Sequence, residues 1–257
     1  MEFLKNFSLK SNEYKLQKFK GLIDGMNVGV YRHPSRKMGK KYYDNPEKKD
    51  SAVVITSPDG KAWQAVKNKK GYQRLVEDLV KEMPNTDVIL VEYVGPEGPW
   101  PINVGMQDRA SNAFKWISDR YTQVAVTGTS KGGWMAWKIG LKFDVPAVVC
   151  CPVGKCGTEL GKAHVPEHWD NRVFKTNGGL FMSSMMAVTK APKILYLHGS
   201  KDETFPWQKE PRPSVVKGYN TTNQLELSII EGGTHNLYDS GVAREEAIVF
   251  IKKYFTI

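Results

Sequence analysis

Apolar positions along the chain fall into two alternating patterns. Short, continuous, β-branched runs occur at Ala52–Ser57 (AVVITS), Asp87–Val94 (DVILVEYV), Gln123–Gly128 (QVAVTG), Ala147–Cys151 (AVVCC), Lys193–His198 (KILYLH) and Gln224–Ile230 (QLELSII). Unbroken runs of this length predict strands covered on both faces. Between them, apolar residues return every three or four positions, which predicts helices. These span Tyr72–Met83 (Leu75, Leu79, Val80), Gln107–Arg120 (Ala110, Ala113, Phe114, Ile117), Ser130–Phe143 (Trp134, Trp137, Ile139, Leu141) and Val242–Phe255 (Ala243, Ala247, Phe250, Ile251, Tyr254). Strands alternating with helices predict an α/β fold, a mostly parallel sheet flanked by helices. Alternation in Glu13–Lys20 and Asn27–Arg32 adds an antiparallel pair leading into the sheet. The stretch Gly154–Lys190 is too long for an ordinary connection and reads as a cap or active-site wall. Its Trp169, Phe174, Phe181, Met182, Met185 and Met186 suit an adaptable apolar surface.

The 257 residues, 40% of them hydrophobic, suffice for one α/β domain with the insertion at 154–190. Disorder, collagen-like repeats and coiled coils are excluded by this composition. No apolar run approaches the roughly 20 residues of a membrane helix. Lys5, Lys10 and Glu13 interrupt the start, so no signal peptide is expected and the chain reads as cytoplasmic. Three cysteines exclude a disulfide framework, and no paired CxxC motif is present. His164 and His168 lie near Cys156, but Pro166 breaks any helix that would present both, so no metal site is expected.

Formal net charge is +10, and its distribution is uneven. Residues 1–80 carry 17 Lys/Arg against 9 Asp/Glu, so this third holds eight of the ten excess charges. Arg32, Arg36, Lys37, Lys40, Lys41, Lys67, Lys69 and Lys70 form this basic excess. It reads as a solvated face, or as a surface for an acidic substrate, polymer or nucleic acid.

The strand Gln123–Gly128 runs into Gly128-Thr129-Ser130-Lys131-Gly132-Gly133, and a helix follows at once. Gly-x-Ser-x-Gly at a strand–turn–helix junction presents a serine hydroxyl above the sheet, while small neighbours allow close backbone approach. The spacing of a Walker-type phosphate loop is absent. A serine hydroxyl needs a base to become a nucleophile. His235 in Glu231-Gly232-Gly233-Thr234-His235 is placed for this, between the last strand and the C-terminal helix, with two glycines to let it swing over Ser130. An orienting carboxylate is expected just past the strand Lys193–His198. Asp202 is preferred there over the adjacent Glu203, and Asp239 lies too near His235 in sequence. His198, ending a buried strand, reads as structural.

These motifs, GTSKGG, LHGSKDETFP and GGTH, resemble the α/β-hydrolase superfamily from about Ala52 to the C-terminus. The order Ser130, Asp202, His235 matches that fold. Locally, VTGTSKGGWMAW is similar to the elbow of the PhoPQ-activated pathogenicity-related proteins and of Ser-Lys-Gly-Gly serine aminopeptidases. The resemblance implies an oxyanion hole of two backbone N–H groups, one from Lys131 and one from the loop Pro58-Asp59-Gly60. Many esterases of the superfamily carry His-Gly-Gly there. This chain does not, and Pro58 has no N–H, so Asp59 or Gly60 must donate. Trp100, in the loop 95–101 (GPEGPWP), either walls a substrate pocket or packs its own loop. The implied activity is cofactor-free hydrolysis of a small-molecule or polymer-linked acyl substrate, an ester first. A peptidase or amidase, and a hydrolase-like binding protein without turnover, are the alternatives.

Overall fold

The structure is a computed structural model describing residues 3–8, 15–21, 25–33, 49–56, 70–91, 104–152, 193–208 and 225–255. Asp59, Gly60, Trp100, the insertion at 154–190 with Cys156, His164 and His168, and the basic residues Arg36, Lys37, Lys40, Lys41, Lys67 and Lys69 lie outside the described residues.

Nine strands form one sheet: β1 (Phe3–Ser8), β2 (Lys15–Gly21), β3 (Gly25–Arg32), β4 (Lys49–Thr56), β5 (Thr86–Val91), β6 (Tyr121–Thr129), β7 (Ala147–Cys150), β8 (Ile194–Gly199) and β9 (Glu226–Ile230). Their order is β1-β2-β3-β5-β4-β6-β7-β8-β9. From β5 to β9 neighbouring strands are parallel. The first three are joined antiparallel and enter the sheet through β3 against β5. The expected antiparallel pair is therefore present, with β1 as a further edge strand that its weak alternation did not announce. The predicted strands and helices are all found, their ends displaced by at most three residues.

The α-helices among the described residues are α1 (Lys70–Glu82), α2 (Val104–Ser118), α3 (Lys131–Phe143) and α4 (Gly241–Tyr254). Strand residues alternate between two cores. Val54, Val126, Val149 and Tyr196 pack with Phe114 of α2 and with Trp134 and Trp137 of α3. Val53, Ile55, Ala125 and Val148 pack with Leu75 and Leu79 of α1 and with Ala247 and Ile251 of α4. Two buried faces explain why the strands read as unbroken apolar runs. Each fully buried Val, Leu or Ile contributes about 1.5–3 kcal/mol. No helix among the described residues is long and apolar enough to cross a membrane.

One basic residue is not where the charge pattern placed it. Arg32, counted with the basic surface, is only 8% exposed. Its Nε–H and Nη2–H donate to Asp87 Oδ1 and Oδ2 at 2.7 and 2.6 Å, and the Tyr121 hydroxyl donates to Oδ2 at 2.8 Å. A guanidinium at the seam between β3 and β5 is held by a buried carboxylate, so it is not available to an acidic partner.

Parallel register brings several strand ends to one edge. Thr56 lies beside Gly128, Thr129 beside Cys150, and Gly199 beside Ile230. The C-terminal ends of β4, β6, β7, β8 and β9 thus gather at the edge where ligands bind in such sheets.

Candidate active site

β6 ends at Thr129 and α3 begins at Lys131, leaving Ser130 alone to make the turn. Its φ of 58° and ψ of −122° lie in the left-handed half of backbone space. For a non-glycine residue this costs about 1–3 kcal/mol and persists only where the surroundings enforce it. Here they do. The Ser130 N–H donates to the Cys150 carbonyl at 3.0 Å, and the Ser130 carbonyl accepts the Trp134 N–H at 3.0 Å. The Thr129 N–H donates to the Tyr72 hydroxyl at 3.0 Å. The Thr56 hydroxyl faces the Gly132 and Thr127 carbonyls at 2.7 and 3.1 Å. A Cβ on Gly128 would overlap Thr56 and lie 2.6 Å from the Gly132 carbonyl carbon, so only glycine permits this approach. Ser130 makes no side-chain cap bond to α3. Lys131, as the first helical residue, directs its N–H out of the positive end of α3.

Asp202 and His235 come from two adjoining loops. Asp202, 2% exposed, follows β8 by three residues. Its Oδ1 accepts the Thr204 and Phe205 N–H groups, both at 2.9 Å. Its Oδ2 lies 2.9 Å from His235 Nδ1. An ionised carboxylate only accepts, so Nδ1 carries the hydrogen and Nε2 is left as the basic nitrogen. Glu203 and Asp239 are both exposed, and the carboxylate brought to the imidazole is Asp202.

The glycine pair before His235 does not give it a free swing. The Ser200 and Lys201 N–H groups donate to the Ile230 and Gly233 carbonyls at 3.0 and 2.8 Å, and the Gly232 N–H donates to Ser200 Oγ at 2.8 Å. A Cβ on Gly199 would overlap the Gly233 carbonyl, so the two loops pack backbone to backbone. Phe205 holds the imidazole from the side, ring centroids 5.2 Å apart.

Ser130 is linked to this pair through the end of β7. Cys150 receives the Ser130 N–H, while the Cys151 N–H donates to the Leu197 carbonyl at 2.9 Å. Cys151 Sγ lies 4.0 Å from the Thr234 carbonyl. Among the described residues no hydrogen bond joins the Ser130 hydroxyl to His235 directly. Such bonds commonly tighten only once substrate is present.

The electrostatics separate the groups by role. Burial opposes ionisation of Asp202, but the hydrogen bond and charge of His235 and the Phe205 amide outweigh it and hold the carboxyl below its usual range. Burial pushes the Cys150 thiol up to about 12. Burial, then the Asp202 charge, push Cys151 up as well. Both thiols stay protonated and are weak nucleophiles.

Sequence reading missed several parts of this edge. Cys151, His198 and Asp202 offer sulfur, nitrogen and oxygen atoms within 4.8 Å of one another. That donor set suits zinc, but the hydrogen bonds around the Asp202 carboxylate account for the grouping without a metal. Beneath the elbow, Gly71, Tyr72, Thr129, Asn236, Tyr238 and Asp239 line a cavity of about 10 Å³, the space of one water. Thr129 Oγ1 is buried with no hydrogen-bond partner among the described residues. A bound water is what such an atom calls for. The spacing of His198 and Asp202 was visible in the sequence, but the approach of both His198 and His235 to Asp202 Oδ2 was not.

No protein-family model matches the chain, and neither does any curated protein. Solved structures do. S-formylglutathione hydrolase from Agrobacterium tumefaciens is 12% identical over the whole of both chains, with a TM-score of 0.65. An esterase from Pyrobaculum calidifontis is 16% identical over 95% of this chain and 88% of its own, with a TM-score of 0.62. A lidless α/β serine hydrolase from Xanthomonas campestris is 13% identical over 98% and 99%, with a TM-score of 0.57. The chain has the α/β-hydrolase fold. In an α/β-hydrolase the nucleophile turn follows a central strand and the acid and histidine follow later ones. Ser130 follows β6, Asp202 follows β8 and His235 follows β9.

Proposed function

We propose that the chain is a serine hydrolase that cleaves a carboxylic ester through an acyl-enzyme. The observation that carries this reading is the 2.9 Å bond from His235 Nδ1 to Asp202 Oδ2, made by loops stitched together at the sheet edge that also holds the strained Ser130. In this mechanism Ser130 Oγ attacks the ester carbonyl and its proton passes to His235 Nε2. Asp202 keeps the imidazole in the required tautomer and stabilises the imidazolium. The oxyanion is received by the Lys131 N–H at the start of α3, with the second donor from Asp59 or Gly60. The alkoxide leaves with the proton held by His235. Water then attacks the acyl-enzyme, giving its proton to the same nitrogen, and the carboxylic acid is released as Ser130 recovers its hydrogen.

The esterases among the structural neighbours favour an ester over an amide, a preference that rests on analogy of fold. Intact-mass measurement after treatment with a fluorophosphonate tests the reading. One adduct on the wild type and none on Ser130→Ala is the expected result. An unmodified, folded wild type would point to a binding protein without turnover, and an adduct that survives in Ser130→Ala to a different nucleophile.

A further inference from the structure

His198 is the penultimate residue of β8, and its side chain is completely buried. Its Nε2 lies 2.8 Å from the Phe205 carbonyl oxygen and 3.4 Å from Asp202 Oδ2. Both oxygens accept only, so Nε2 carries the hydrogen and the nearer carbonyl receives it. Nδ1 then faces the Tyr196 hydroxyl at 3.4 Å as the acceptor. The ring stacks on Tyr196, 7° from parallel with centroids 5.9 Å apart, and tilts against Trp207 at 5.4 Å. Tautomer and orientation are fixed together.

Phe205 shows what this arrangement achieves. Its carbonyl is held by His198, its N–H donates to Asp202 Oδ1, and its ring lies against His235. Asp202 Oδ2, which takes the His235 Nδ1 hydrogen, is also the carboxylate oxygen closest to His198.

We propose that His198 is a positioning residue for the Asp202–His235 pair, donating Nε2–H to the Phe205 carbonyl and sharing Asp202 Oδ2 with His235. This rests on the reading of those two residues as the acid and base of a serine hydrolase. His198 pins the turn from below, so the carboxylate keeps the plane that meets Nδ1. Its N–H dipole beside Oδ2 also weakens the hold of that oxygen on an imidazolium. The groups facing the Asp202 carboxylate are His198 from β8, Cys151 from the end of β7 and His235 from the loop before α4, with exposed Lys201 and Glu203 flanking it in its own turn.

The test compares His198→Phe, which keeps an aromatic ring between Tyr196 and Trp207 but has no donor, with His198→Gln, whose amide can donate to the Phe205 carbonyl. The readout is the fluorophosphonate labelling rate of Ser130 against pH, which needs no knowledge of the substrate. His198→Phe is expected to slow labelling about ten- to a hundredfold at neutral pH, the scale of a small misplacement. It is also expected to move the acidic limb about half a unit upward, because the Nε2–H dipole beside Oδ2 is gone. His198→Gln is expected to recover most of the rate. Labelling within twofold of wild type in a folded His198→Phe overturns the proposal. So does an equal slowing in both variants with an unmoved limb, which would mean packing alone. Should His198→Phe not fold, ¹H–¹⁵N imidazole spectra of the wild type decide: an Nε2–H neutral tautomer supports the proposal and an Nδ1–H tautomer overturns it. A wild type that takes no adduct sinks the hydrolase reading instead, and the tautomer spectrum still reports on His198.

Discussion

Asp87 and Asp202 are two buried carboxylates at opposite edges of one sheet, 0% and 2% exposed. Asp87, near the N-terminal end of β5, meets a two-pronged guanidinium and a phenol. Arginine does not give up its proton, so this contact has one state and serves to fasten β3 to the parallel strands. Asp202, past the C-terminal end of β8, meets two backbone amides and two imidazoles. Its closest side-chain partner, His235, is 21% exposed, whereas the Arg32 side chain is 8% exposed. A carboxylate satisfied by fixed amide dipoles and an imidazole is held below its usual range, while the ring keeps its second nitrogen on the far side from the carboxylate. Donor chemistry, more than burial, separates the structural carboxylate from the one suited to catalysis.

That contrast can be tested from both sides. The largest effect is expected for Asp202→Asn, which leaves the fold intact and favours the wrong imidazole tautomer. Labelling of Ser130 should fall by about 10³–10⁴-fold. Stopped-flow or intact-mass kinetics would detect this, and a loss below tenfold would break the comparison. Arg32→Met should act on stability, because it strands a buried charge at Asp87. A loss of about 3–5 kcal/mol in urea unfolding is expected, with the labelling rate of the folded protein within twofold of wild type. A stable but slow Arg32→Met would show that the two edges are coupled.

The smallest effect concerns pH. The Asp202 carboxyl is lowered by folding, so its contribution to stability is fully present above the ordinary carboxyl range, about pH 4, and drains away as pH falls through the lower folded value. The stability difference between wild type and Asp202→Asn should therefore be constant near neutrality and shrink in acid. A difference that widens as pH falls below 4 would contradict that sign.

Much of this was legible in the order of residues. The apolar runs mark β4 to β8 because these strands are covered on both faces, while β9 at the sheet edge is half-buried; the 3.6-residue stripes mark α1 and α4 on their covered faces, and α3 is buried almost all round. Ser130 stands out because a serine among glycines at a strand–helix junction is a local signal, and the close approach at Gly128 shows why those glycines are required. Asp202 is preferred over Glu203 from its place in the loop, but loop position ranks the two without excluding either. Only the fold, by burying one and exposing the other, makes that choice.

The least legible features are pairs far apart in the chain. Arg32 looked like one more exposed cation, since nothing in its own neighbourhood points to Asp87, 55 residues later. Cys151 looked like an apolar strand end. The insertion of β5 between β3 and β4 could not be read from alternation, which reports which faces are buried and not which strand lies next.

By itself, then, the sequence determined the element types, the parallel core and the strand ends after which Ser130, Asp202 and His235 fall, because periodicity, turn chemistry and glycine sterics act over a few residues. Tertiary structure alone decided which strands are neighbours, which cation is buried, and that His198 and His235 converge on one carboxylate oxygen. Those outcomes depend on contacts between distant segments, and pairing energies of that kind leave no periodic trace along the chain.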